Sequence, residues 1–197
     1  MLPKLVDLAM TSDVVTRLRA AHVPAASGVV LEVGIGSGLN LPFYTTAVTQ
    51  LYGVDSSPEL LAMASRRKKI APFPVELFLG NAERLPLPGA SVDTVVITWS
   101  LCSIRNAAEA LGEMRRVLKK GGKLIFVEHG LSPDENVSKW QNRLTPLWRV
   151  FAGGCHLNRR MDVLVSDAGF AVGALRTEYV AGPRALTFMY EGWATRE

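Results

Sequence analysis

The chain has 197 residues, of which 48% are hydrophobic and 20% charged, and a net charge of +4. A disordered chain is excluded by that composition. No apolar run reaches the ~18 residues of a membrane-spanning helix, and so small a charge gives no reason to expect nucleic acid as a partner. The length suits a single domain over 1–197 with a core of its own. Residues 1–21 lack the pattern of a secretory signal. The two cysteines, Cys102 and Cys155, form no CxxC pair and stand at no metal-ligand spacing from a histidine. The sequence reading is therefore a reduced, cytoplasmic protein without a metal.

Strand-like and helix-like segments alternate along the chain, the pattern of an α/β fold with a parallel sheet. After a helical N-terminal stretch over 1–28, an apolar strand at 29–33 runs into a glycine-rich turn. Residues 50–54 form a second strand ending at Asp55, and 58–69 a helix whose basic end, Arg66 to Lys69, faces the negative end of its dipole. A third strand follows at 75–79. The fourth, at 92–99, is β-branched and apolar, as a buried central strand should be. Asn106 with Glu109 makes a variant capping box for the next helix, whose apolar face is Ala107, Ala110, Leu111, Met114, Val117 and Leu118. Gly121 and Gly122 stop that helix before a fifth strand at 123–128. A helix at 158–168 then precedes a terminal strand pair, 170–179 and 185–191.

Residues 131–157 interrupt this alternation. Trp140, Leu144, Leu147, Trp148 and Phe151 share one helical face there, and Pro146 is expected to kink or divide the helix. An insertion at the carboxyl end of a strand lies on the ligand side of such a sheet, so a lid is expected, with a plain structural helix as the alternative.

The most informative stretch is Glu32-Val33-Gly34-Ile35-Gly36-Ser37-Gly38. Glycine allows positive φ and close ligand approach, but the spacing is GxGxG, and Leu39 stands where a dinucleotide turn has its third glycine. Glu32 can face a cationic amino-acid tail rather than a pyrophosphate. Asp55, 17 residues beyond Gly38, can accept hydrogen bonds from ribose hydroxyls. Asn81 and the backbone of Ala82 can read an adenine.

These residues resemble the class I S-adenosylmethionine-dependent methyltransferases, the type 11 group, over roughly 29–170. The phrases Leu85-Pro86-Leu87 before Asp93, and Arg116 to Gly122, belong to the same resemblance. It implies a Rossmann-like seven-stranded sheet in the order 3-2-1-4-5-7-6 with the last strand antiparallel. It also implies S-adenosyl-L-methionine as cofactor, with S-adenosyl-L-homocysteine as product. The implied binding set is Glu32, Gly34, Gly36, Ser37, Gly38, Asn40, Asp55, Ser56, Asn81 and Ala82, with Thr98 and Trp99 beside the reactive sulfonium.

A narrower resemblance rests on residues 38–44, Leu101-Cys102-Ser103, Glu128-His129-Gly130, Trp140-Gln141 and Gly154-Cys155-His156-Leu157. These phrases are similar to the small-molecule thiol methyltransferases and the phospholipid methyltransferase-like proteins. A small, apolar acceptor of thiol or sulfide type is therefore expected first. A phospholipid headgroup or amine comes next, then a quinone-like or phenolic compound. Mammalian members carry an N-terminal hydrophobic anchor with no counterpart in this sequence, which leaves peripheral membrane contact open. His129 is the first candidate base and His156 the second; each has a structural alternative. A nicotinamide oxidoreductase and a non-catalytic cofactor-binding protein are the readings from other classes.

Overall fold

The computed structural model describes residues 7–197. Alternate residues of the central strands serve two cores. Leu31, Val33, Val95, Ile97, Leu124 and Phe126 face one side of the sheet, where they meet Leu111, Met114, Met161 and Val165 from the helices. Val30, Val96 and Ile125 face the other, against Val23, Leu41, Tyr44 and Leu51. A parallel sheet covered on both faces requires this continuous apolar patterning.

The strands are β1 (Gly28–Val33), β2 (Val48–Asp55), β3 (Val75–Leu79), β4 (Val92–Thr98), β5 (Leu118–His129), β6 (Phe170–Tyr179) and β7 (Phe188–Arg196). They form one sheet in the order β3-β2-β1-β4-β5-β7-β6. Pairing is parallel through β5, and β7 runs antiparallel to both β5 and β6. The expected topology is what the chain adopts. The helices are α1 (Asp13–His22), α2 (Pro58–Arg67), α3 (Ala107–Val117), α4 (Glu135–Phe151) and α5 (Met161–Asp167).

Boundaries moved where local chemistry overrode the pattern. The capping box holds at α3, where Asn106 accepts from the Glu109 backbone N–H and donates to its carboxylate. That helix nonetheless stops at Val117, and β5 begins at once, so Gly121 and Gly122 lie inside the strand span. Helix α5 starts at Met161 rather than 158, because the Arg159 carbonyl is taken by the Leu131 N–H. The last strand begins at Phe188, after Arg184–Leu186 coil into a 3-10 turn behind Pro183.

Pro146 does not divide α4, which runs unbroken through it. The helix is docked by Gln141 and Thr145 together with Trp148, which packs on the core. Gln141 is buried, donating to the Gly130 and Ala185 carbonyls and accepting from the Ser132 N–H. The opposite side leaves Trp140, Leu147, Val150 and Phe151 exposed, between 58% and 74%. Among the described residues no helix is long and apolar enough to cross a membrane.

Candidate functional site

A cavity opens at the carboxyl ends of β1, β2 and β4. The glycine turn forms its floor. Gly34 has φ of 71°, and a Cβ there would lie 2.1 Å from the Ser100 hydroxyl, so this position admits no side chain. Gly36 has φ of 56°, but a Cβ there would meet only a backbone oxygen at 4.0 Å. The protein leaves that space free on the cavity side, where a ligand would approach. Gly38 serves packing instead, since a Cβ would press on Leu41 and Ala64, and it does not line the cavity.

Asp55 pins this turn to β2. Its two carboxylate oxygens accept from the Gly36 and Ser57 backbone N–H groups, each at 2.8 Å. Both oxygens keep a lone pair for further donors, as a pair of ribose hydroxyls would require.

Glu32 is buried at the end of β1 and lines the cavity. Tyr44 donates to one oxygen at 2.8 Å and Asn40 to the other at 2.9 Å. Burial pushes its carboxyl up to about 7 from an ordinary 4.5, against the pull of those two hydrogen bonds and of the Arg19 charge. Such a carboxyl gains most from a cationic ligand that restores its charged form.

Asn40 is the hub of this network. It also donates to the Thr98 hydroxyl at 3.0 Å and accepts from Arg19 Nε at 2.8 Å. Sequence reasoning missed Arg19, along with Asp7, Met10 and Ser100 of the lining and Tyr44 behind Glu32. Arg19 reaches in from α1, is almost fully buried, and stacks 4.9 Å over the Trp99 ring. Burial pulls its guanidinium down to about 10, opposed by the charges of Glu32 and Asp7, so it stays charged at neutral pH. An arginine in a helix of polar character carries no motif that would single it out.

Trp99 follows β4 with φ of 49°, an uncommon conformation for a bulky residue. Strain of this kind collects at ligand sites. The N-terminal segment closes the remaining side. Asp7 accepts from Arg67 and from the Ser37 hydroxyl, and Arg67 also donates to the Ser37 carbonyl. The end of α2 is therefore tied to the turn rather than simply solvated. Asp7, Met10 and Arg19 all line the cavity, and no residue of 131–157 does.

Of the expected binding set, Glu32, Gly34, Gly36, Ser37, Asn40, Asp55, Thr98 and Trp99 line this cavity, while Gly38, Ser56, Asn81 and Ala82 do not. Ser56 is exposed on the loop after Asp55. Asn81 and Ala82 follow Gly80, whose N–H donates to the carbonyl of Asp55 on the cavity wall.

The two candidate bases lie outside the lining as well. His129, at the end of β5, has its Nε2 2.9 Å from Cys155 Sγ. Burial works against its charged form, but the hydrogen bond and the charges of Cys155 and Glu128 outweigh this and raise its pKa. His156 Nδ1 lies 3.1 Å from the Cys102 carbonyl, and burial beside Arg159 lowers its pKa. As a free base facing the cofactor cavity, neither histidine fits the geometry.

Residues 31–126 match the family described as Methyltransferase domain. The phosphatidylethanolamine N-methyltransferase of Cereibacter sphaeroides is 40% identical over 115 residues, covering 57% of this chain and 56% of that protein. The thiol S-methyltransferase TMT1B of Rattus norvegicus is 32% identical over 146 residues, covering 72% of this chain and 59% of the relative. The chain thus spans less than three fifths of the length of both curated relatives. Among solved structures, an S-adenosylmethionine-dependent methyltransferase of Methanosarcina mazei superposes with a TM-score of 0.69 at 18% identity, covering 85% of this chain and 92% of that one. Residues 31–126 form a methyltransferase domain, and the fold of the chain is the one shared by S-adenosylmethionine-dependent methyltransferases.

Proposed function

We propose that the protein transfers a methyl group from S-adenosylmethionine to a small apolar acceptor, with a thiol or sulfide favoured. The observation that carries the donor half is the convergence of Glu32, Arg19 and Asp55 on one cavity beside the open face of Gly36. A zwitterionic amino-acid tail matches that pair of charges. Glu32 suits the ammonium and Arg19 the carboxylate, while Asp55 is placed to accept from the ribose. When bound, the cofactor supplies a methyl group already activated by its sulfonium. The chain's own contribution is then alignment and exclusion of water.

The cavity wall itself supports the thiol reading. Its titratable residues, Asp7, Arg19, Glu32 and Asp55, are all held by protein partners, so none stands free as a base. A thiol needs the least help, since a reference pKa near ~8.5 leaves a few per cent thiolate at neutral pH. The thiol S-methyltransferase similarity points the same way.

The second reading is an N-methyltransferase of a phospholipid headgroup or amine. It is favoured by the phosphatidylethanolamine N-methyltransferase similarity and by the exposed apolar side of α4 beside Lys139, Arg143 and Arg149. Such a face suits contact with an anionic lipid surface. Residues 131–157 would then serve as a guide for a lipophilic acceptor rather than a cover for the cofactor.

A panel of thiols, amines and phenols with methyl-labelled donor separates these readings. Label on small thiols supports the first, and label only on aminophospholipid supports the second. Cofactor binding with no label on any acceptor would leave a non-catalytic binding protein. A change in NAD(P)H fluorescence on mixing would return the oxidoreductase reading.

A further inference from the structure

We infer that Cys102, His129 and Cys155 form a zinc site. The three residues are 27 and 26 positions apart in sequence, and the fold delivers them from three different segments. Cys102 follows β4, His129 ends β5, and Cys155 follows α4. Their ligand atoms, two sulfurs and an imidazole nitrogen, all lie within 4.8 Å of one another. A tetrahedral zinc ion, with bonds of ~2.3 Å to sulfur and ~2.0 Å to nitrogen, sets its ligand atoms between about 3 and 4 Å apart. The cluster therefore needs only a small side-chain adjustment to close on an ion.

The surroundings fit such a centre. Both sulfurs are buried, at 2% and 6% exposure for the two cysteines, within the larger apolar core. Binding Zn²⁺ sends two protons of the cluster to solvent and leaves two thiolates and a neutral imidazole around the ion. That unit has no net charge, which keeps the cost of burying it small. Soft thiolate ligands select zinc over magnesium or calcium.

The positions of the ligands are fixed by a second layer of hydrogen bonds. Trp148 Nε1–H donates to Cys155 Sγ at 3.3 Å. Glu128 accepts from the backbone N–H groups of Ser100, Leu101 and Cys102, which locks the loop carrying Cys102. The His156 N–H donates to the Cys102 carbonyl and ties the Cys155 segment to the same loop. Outer partners of this kind orient metal ligands.

Three protein ligands leave one tetrahedral position for water or an exogenous thiol, the arrangement of zinc sites that are not purely structural. The centre would clamp α4 to the sheet two residues beyond Ser100, which lines the cofactor cavity. It is independent of the methyl-transfer reading.

The test uses the full chain, purified under reducing conditions without chelator. Elemental analysis is expected to give one zinc per chain. Cobalt titration of the chelator-treated protein is expected to give the intense visible bands of tetrahedral thiolate coordination. Cys102→Ser, Cys155→Ser and His129→Ala should each abolish those bands and weaken zinc binding by more than about 100-fold, while Trp148→Phe should weaken it by about 10-fold. S-adenosylhomocysteine binding and the circular dichroism spectrum identify variants that keep the fold. The proposal is overturned if the wild-type protein carries no stoichiometric zinc and binds none on addition. It is equally overturned if cobalt spectra are unchanged in folded variants, or if the reduced wild-type protein gives only octahedral, oxygen-type spectra.

Discussion

The two halves of the sheet's carboxyl edge are built on opposite principles. The half over β1 and β2 is polar and pre-wired, with Glu32, Asn40, Arg19, Tyr44 and Asp55 joined by buried hydrogen bonds. The half over β4 and β5 is sulfur-rich and set in apolar core, with Cys102, His129 and Cys155 clustered and Glu128 as its buried carboxylate. Both cysteines belong to the core that holds Leu157 and that Trp148 packs against. The first suits a fixed, charged ligand of known shape. The cluster of the second lies outside the lining of the cavity, so changes there need not disturb a ligand held by the first. Substitutions should therefore separate cofactor binding from everything else.

The largest separation is expected at Asp55. Its loss frees the Gly36 and Ser57 N–H groups together and, on the proposed reading, removes an acceptor from the ribose. With charge-assisted hydrogen bonds at about 1.5–3 kcal/mol each, Asp55→Ala should weaken S-adenosylhomocysteine binding by about 100-fold or more in isothermal titration. Cys155→Ser should change that affinity by less than about threefold, because it acts outside the cavity. Equal losses in both variants would erase the distinction between the halves.

A smaller effect belongs to Gly36. An alanine there places a methyl group in the free space of the cavity and costs about 1–2 kcal/mol for positive φ. Gly36→Ala should lower cofactor affinity by about 10-fold or more, and a variant that binds like the parent would show that the ligand approaches elsewhere.

Glu32 makes the polar half sensitive to pH. Its carboxyl is raised from 4.5 to about 7 in the folded protein. Between those values the unfolded chain releases this proton and the folded chain keeps it. Stability of the ligand-free protein therefore falls as pH rises through that window, by a contribution on the order of 3 kcal/mol. A cationic ligand lowers the same pKa, so binding should release a proton and affinity should rise from pH 6 to pH 7. Proton release is measured by titrating in buffers of different ionisation enthalpy, and Glu32→Gln should abolish it. Proton release unchanged by that substitution would place the effect on another group.

These contrasts also explain what could be read from sequence. The sheet order followed from the family resemblance, while the glycine turn and Asp55 were legible because each is a contiguous phrase at a strand end, where spacing alone implies geometry. The α3 cap was legible for the same reason. Arg19 was not, since its role depends on α1 folding over the cavity to meet Asn40 and Trp99. Nor was the Cys102, His129 and Cys155 cluster, whose members meet only through the crossing of β4, β5 and the α4 loop. Helix α4 misled in a different way. Its apolar stripe was expected to serve a lid or to pack on the sheet. Of that stripe Trp148 packs on the core, while Gln141 and Thr145 face inward beside it, with Gln141 donating to the Gly130 and Ala185 carbonyls.

The smallest expected effect lies on that exposed stripe. Leu147 and Phe151 are 63% and 69% exposed, so Leu147→Glu with Phe151→Glu should leave thermal stability within about 0.5 kcal/mol. The same pair should reduce co-sedimentation with anionic vesicles several-fold if the face meets lipid. Unaltered co-sedimentation would remove lipid contact from the α4 face.

The central claim is methyl transfer carried by the polar half to an acceptor selected by the other. It is tested most directly by incubating the intact protein with methyl-labelled S-adenosylmethionine and a panel of small thiols, aminophospholipids and phenols. Label is expected on a thiol, at a rate that Asp55→Ala reduces by about 100-fold or more at sub-saturating donor, in line with the lost binding energy. Tight S-adenosylhomocysteine binding with no label on any acceptor would contradict it.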